Sequence, residues 1–171
     1  MLSEAAVTVL PAPSSQRALL EQLLQLYLHD FSEFAPRHTA YGEVDAHGRF
    51  SYPPGLDPYW TDPACVPLLI QADGAIAGFV LLNRWSALDR PLDHAVAEFF
   101  VLRKHRRAGV GTRAAQAAFR RHPGRWEVPV AAYNPAALQF WRHAAGSMPG
   151  GAQEHPGDGH RWAGTVLTLT A

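Results

Sequence analysis

The stretch from Ala95 to Arg113 constrains this chain most. An apolar, strand-like run, Ala95 to Leu102, leads through Arg106-x-x-Gly109-x-Gly111 straight into a helical pattern. A turn of this kind belongs to an α/β architecture, with helices packed on a central sheet. It is also an anion site on physical grounds. The first turn of a helix has N–H groups without intrahelical partners and carries the positive end of the dipole. Glycines remove the Cβ atoms that would hold an anion off the backbone. Arg106 and Arg107, with Arg113 one turn on, add donors suited to phosphate oxygens. A plain tight loop competes as an account of the glycines alone.

The rest of the chain supplies the elements such a turn needs. Val7 to Leu10 is β-compatible and is followed by Pro11 and Pro13; Ser14 or Ser15 then offers a helix N-cap. Leu19, Leu20, Leu23, Leu24, Tyr27, Leu28 and Phe31 recur at helical spacing. From Ser32 to Pro63 no period holds, and the stretch is rich in Pro, Gly and aromatics; so long a loop is functional or hides a short helix. Cys65 to Gln71 and Ile76 to Asn83 flank Asp73-Gly74, a hairpin signal. After the central motif come a helix from Gly109 to His122, a strand from Trp126 to Ala132, and Asn134-Pro135 opening a helix as N-cap and first residue. Thr165 to Thr170 closes the series. The order is β-α-β-β-β-α-β-α-β.

Composition narrows the function. With 171 residues, the chain suffices for one domain, 1–171, and is short for two. Fifteen basic residues balance fifteen acidic ones, which argues against a general nucleic-acid binder. No apolar run reaches the roughly 18 residues of a membrane span, and the first residues lack a basic, apolar leader. One cysteine, Cys65, excludes an internal disulfide. The expectation is a cytoplasmic protein, and the Arg, Ala, Gly and Pro bias, with Lys104 the only lysine, points to a GC-rich bacterial genome. Nine histidines form no H-E-x-x-H or other compact ligand set, so no metal is expected. A Rossmann turn is disfavoured, because the third glycine is missing and a hairpin precedes the motif. No lysine follows the glycines as in a nucleoside triphosphatase.

Two motifs together resemble the GNAT superfamily of N-acetyltransferases, in the manner of its uncharacterised bacterial predicted acetyltransferases. Arg106-x-x-Gly109-x-Gly111 is similar to the Q/R-x-x-G-x-G/A loop, and Asn134-x-x-Ala137-x-x-Phe140-Trp141 to the later N-x-x-A-x-x-hydrophobe-aromatic helix. The resemblance implies a GNAT-like acyl-CoA N-acyltransferase fold, with a mixed, mostly antiparallel sheet flanked by helices. It further implies acetyl-CoA as donor and an amine as acceptor, a small-molecule one given the neutral charge and aromatic loop. Backbone groups of Phe99, Phe100 and Val101 are then expected to hold the acyl arm. Arg106, Arg107, Ala108, Gly109, Val110, Gly111 and Thr112 hold the pyrophosphate, and Asn134, Phe140 and Trp141 approach from the other side.

Acyl transfer needs a place for the amine proton and a proton for the departing thiolate. Glu98, on the central strand, is the candidate base, with a purely structural strand glutamate as the competing reading. Relatives often carry a tyrosine as thiolate donor where this chain has Trp141, and indole cannot serve as an acid. That departure motivates the alternative of a non-catalytic acyl-CoA-binding module. Tyr27, Asp30, Tyr59 and Trp60, with Tyr41, are candidates for the acceptor pocket; core packing competes for Tyr27, and loop anchoring for the others. The sheet edges of such a fold leave a homodimer open.

Overall fold

The computed structural model describes residues 5–37 and 42–171, so Tyr41 lies outside the described residues. Among the described residues there are seven strands: β1 (Val7–Pro11), β2 (Val66–Ala72), β3 (Ala75–Asn83), β4 (His94–Val101), β5 (Arg125–Ala131), β6 (Gln153–Pro156) and β7 (Gly164–Thr170). The helices are α1 (Arg17–Phe31), α2 (Pro58–Thr61), α3 (Val110–Arg121) and α4 (Pro135–Gly146). Sheet order is β1-β2-β3-β4-β5-β7-β6, antiparallel throughout except between β4 and β5.

Local chemistry explains most of these elements. Asp73 and Gly74 both take positive φ, 50° and 77°, which closes the β2–β3 hairpin with the twist that such turns favour. Pro11 is tolerated because β1 lies at the sheet edge. Asn134 caps α4 as its spacing predicts, its side chain accepting from Ala137 N at 3.1 Å. Ser14 and Ser15 do not cap α1. They form a 3-10 turn with Gln16, and α1 begins at Arg17 without a side-chain cap. The long loop does hide a short helix, the single turn of α2. One element lies beyond the sequence expectation, β6, whose Gln-Glu-His-Pro sequence has no apolar alternation.

Two cores form on opposite faces of the sheet. Leu20, Leu24 and Leu28 of α1 and Tyr59 of α2 pack on Phe79, Leu81 and Phe100. On the other face, Val110, Ala114 and Phe119 of α3 and Trp141 and Ala144 of α4 cover Val96, Val101, Trp126 and Val128.

The seam between β4 and β5 is short. Only His94↔Trp126 and Ala95↔Glu127 pair before the strands part. The β3–β4 register jumps from Leu81↔Glu98 to Leu82↔Val96, leaving Ala97 as an extra residue. A bulge bends its strand and increases the local twist. Thus β4 kinks just past its last pairing with β5, and the two strands diverge from there. Beyond the bulge, alternation sends Phe99 and Val101 to the α3/α4 face and Glu98 and Phe100 to the α1 face.

Candidate active site

Glu98 lies just beyond the bulge on β4, its carboxylate enclosed by protein yet still reached by solvent. Tyr27 of α1 donates its hydroxyl to Oε2 at 2.5 Å, and Tyr52 donates to Oε1 at 3.2 Å. Burial pushes the carboxyl up to about 7, and the two phenols offset part of that rise. A carboxyl poised there exists in both protonation states near neutrality, which suits a group that must take a proton and release it.

Tyr52 reaches Glu98 because the long loop is stitched to α1. The Gln25 side-chain amide donates to Phe50 O at 3.1 Å and accepts from Phe50 N at 2.8 Å, as a neighbouring strand would. Behind Tyr52 lies Tyr59, buried and hydrogen-bonded to it; burial and the nearby Glu98 charge raise the Tyr59 phenol far above its usual range. Tyr59 therefore backs the site as a neutral hydroxyl. Trp60 points elsewhere: its Nε1 donates to Ala12 O at 3.1 Å, and Arg17 lies over its ring at 5.4 Å. That is the opposite end of α1 from Asp30, roughly 20 Å away at 1.5 Å per residue. The geometry makes Trp60 a loop anchor.

Asp30 and Arg106 meet. The Asp30 carboxylate accepts from Arg103 Nε at 3.0 Å, from Arg103 Nη2 at 2.7 Å and from Arg106 Nη2. Partial burial works against its charge, but the two guanidiniums outweigh it and hold the carboxyl below the ordinary range. Arg106 also donates through Nε to Val101 O at 2.7 Å and lies over the Phe100 ring at 5.5 Å. Its guanidinium thus ties the end of β4 to the end of α1. Arg107, beside it, is exposed, as Arg106 is.

The loop itself has the backbone of an anion cradle. Arg107 and Gly109 both have positive φ, 63° and 71°, with Ala108 between them, and Gly109 is the left-handed N-cap of α3. Such alternation turns successive N–H groups toward one concave spot. A Cβ on Gly111 would lie 3.1 Å from Phe140 Cε2 and 3.7 Å from Val101 Cγ2, so α3, β4 and α4 converge where the strands part. Phe99 packs at a tilt on Phe140 at 5.4 Å and meets Trp141 edge-on at 4.9 Å. Trp141 is only 6% exposed, wedged also against Phe119 at 6.2 Å, so its indole is a core element. Asn134, occupied as the α4 cap, fixes where that helix starts. Val110 is buried under the turn, and Thr112 is half-buried on the first turn of α3. Arginine in the left-handed region is strained by about 1–2 kcal/mol. Arg107→Gly is therefore expected to raise stability by roughly 0.5 kcal/mol, after glycine's own entropic penalty, in urea unfolding.

Residues that the motifs did not single out complete the site. Tyr52 is one. Tyr133, just after β5, is another: its ring meets Phe31 edge-on at 6.0 Å, and burial together with the Glu98 charge raises its phenol. A depression of about 510 Å³ lined by Arg90, Leu92, Glu127 and Thr168 lies beside the paired end of β4 and β5, away from the loop. There the buried Glu127 carboxylate accepts from Ser86 Oγ and Ala87 N at 2.8 and 2.7 Å and pins the β3–β4 connection. Among the described residues, no group of three or more His, Cys, Asp or Glu converges as a metal site would require.

This arrangement of a bulged strand parting from its parallel neighbour beside a glycine cradle defines an acyltransferase-type site, and the comparisons give it a family. The acetyltransferase (GNAT) family model matches residues 20–146, and the chain belongs to that family. No curated protein sequence matches it significantly. Among solved structures it is similar to an acetyltransferase from Thermus thermophilus, with TM-score 0.67 and 14% identity over 99% of this chain and 100% of that one. It is also similar to the PaiA N-acetyltransferase from Thermoplasma acidophilum in complex with coenzyme A, with TM-score 0.62 and 11% identity over 97% and 99%. A third is the spermidine N-acetyltransferase from Vibrio cholerae in complex with CoA and spermine, with TM-score 0.57 and 12% identity over 96% and 95%. At these identities the likeness is one of fold.

Proposed function

We propose that this chain, as one domain, transfers an acetyl group from acetyl-CoA directly to the primary amine of a small molecule. The observation that carries the reading is Glu98, a carboxyl near pKa 7 held by two tyrosines at the point where β4 leaves β5. The neighbours bound to coenzyme A and to spermine support the donor class and an amine acceptor. When bound, the thioester supplies an activated acyl group.

The residues divide the remaining work. N–H groups around Gly109 and Gly111 receive the pyrophosphate, with Arg107 adding charge. The β4 backbone from Phe99 to Val101, freed of β5, offers strand-like hydrogen bonds to the arm, and an N–H there stabilises developing negative charge on the carbonyl oxygen. Glu98 takes the proton that the amine must shed to attack as a neutral nucleophile and to become an amide, and Tyr27 and Tyr52 hold its oxygens in place. Trp141 cannot protonate the thiolate, which leaves that step to another hydroxyl or water. The lone Cys65 suits a reaction run in the reducing cytoplasm. Among the described residues no helix is long and apolar enough to cross a membrane.

Calorimetric titration tests the cradle. Acetyl-CoA is expected to bind, and Gly109→Glu, which sets a carboxylate where the diphosphate would lie, is expected to weaken binding at least tenfold. Unchanged affinity would place the donor elsewhere. The buried indole at Trp141 favours a second reading, a non-catalytic acyl-CoA-binding module. Thiol release over a panel of amines separates the two, since turnover with any acceptor ends it.

A further inference from the structure

A run of aromatic rings leads outward from the base. Tyr27, whose hydroxyl bonds Glu98, has its ring 5.6 Å from that of Phe31. Phe31 in turn lies 4.8 Å from Phe34 and 6.0 Å from Tyr133. Phe34 and Tyr133 are each 38% exposed, so both keep ring surface open to a ligand. Phe31 and Phe34 belong to the α1 half of the molecule, whereas Tyr133 extends from the end of β5. The edge-on contact of Phe31 with Tyr133 therefore joins the end of α1 to the end of β5.

The carboxylates beside this contact offer a polycation little. A groove of about 570 Å³ adjoins it, lined by His29, Ser32, Glu33, Arg103, Arg106 and Arg107. Asp30 is saturated by Arg103 and Arg106, and Glu33 lies within the field of Arg103. With Asp30 committed to Arg103 and Arg106, the groove lining leaves a second ammonium, among the described residues, the single carboxylate of Glu33. A flat apolar body, in contrast, can lie on exposed ring faces, and its single ammonium gains a cation–π contact on the way to Glu98.

We infer that Phe31, Phe34 and Tyr133 select an acceptor that carries one amine on an aromatic body and reject linear polyamines. The inference rests on the acyltransfer reading and deepens it by naming the acceptor class. It differs from what the spermine-bound neighbour would suggest.

The test uses the full chain in three steps. Coenzyme A is titrated first, because a protein that fails to bind it refutes the acyltransfer reading itself. The coenzyme-A-loaded protein is then titrated with 2-phenylethylamine and, separately, with spermidine. Phenylethylamine is expected to bind at least tenfold more tightly. The double substitution Phe34→Ala with Tyr133→Ala, at exposed positions that leave both cores intact, is expected to erase that preference without changing coenzyme A affinity. Equal or tighter binding of spermidine, or a preference that survives the double substitution, overturns the selection while leaving the donor site standing.

Discussion

Replacing Glu98 by Gln is expected to lower kcat by about 10²–10⁴-fold, the usual contribution of a positioned base, while making the protein more stable at alkaline pH. The fold is retained because the amide keeps the shape of the carboxyl, and its oxygen can still accept from one of the two phenols. In the parent protein, kcat/KM should climb as pH passes through about 7, where the carboxyl ionises, and the variant should lose that limb. The stability effect has a definite sign. Between about 4.5 and 7 the folded chain keeps a proton that the unfolded chain has released, so stability falls as pH rises through that window. At about 1.36 kcal/mol per unit the effect has a ceiling of ~3 kcal/mol. Glutamine does not titrate and escapes this loss. Melting curves at pH 5 and pH 8 should therefore converge for the variant and diverge for the parent. A slow variant that is no more stable at pH 8 would contradict the buried, near-neutral carboxyl; a variant with full activity would remove Glu98 from the chemistry.

Gly78→Ala is expected to be the most damaging single-methyl change. Its Cβ would sit 1.9 Å from the Phe100 carbonyl oxygen and 3.0 Å from Val101 Cα. Both are backbone atoms and cannot rotate away, so β3 and β4 must separate. The expected loss is about 3 kcal/mol or more, read from the denaturant midpoint. Acyl-CoA binding should fall in parallel, since Phe100 and Val101 move with the strand. Gly146→Ala is the control. Its added carbon meets nothing within 4 Å, and it lies in α4, where alanine is the better helix former by up to about 1 kcal/mol. If the two substitutions have equal effects, the close approach of β3 to β4 is not what fixes Gly78.

The strand–glycine–helix segment and the Asn134 cap could be read from sequence because both depend on neighbours along the chain. A left-handed N-cap needs glycine, and an Asn-Pro pair needs nothing more distant than Ala137. Glu98 could be singled out for a similar reason, since a glutamate between Ala97 and Phe99 in an apolar strand requires partners. Which partners it has could not be read. Tyr52 comes to Glu98 through a loop without period, stitched to α1 by Gln25. The motif marks Arg106 as a phosphate ligand, but it gives no sign of Asp30, 76 positions earlier, which bonds the same guanidinium. Trp60 and Tyr59 are adjacent in sequence, yet one anchors the start of α1 and the other backs the base. The bulge at Ala97 left no trace in composition, because both faces of β4 are apolar there.

The two-pair junction between β4 and β5 has a further consequence. Everything N-terminal to it, with α1 and the base, forms one half of the sheet; β5, β7 and β6 form the other. A guest lying along the freed β4 edge would take the place of the missing rungs and serve as a structural rib. Ligand that joins only the folded state raises its stability in proportion to the logarithm of its concentration. On the proposed reading, a donor bound there would brace the two halves of the sheet against each other.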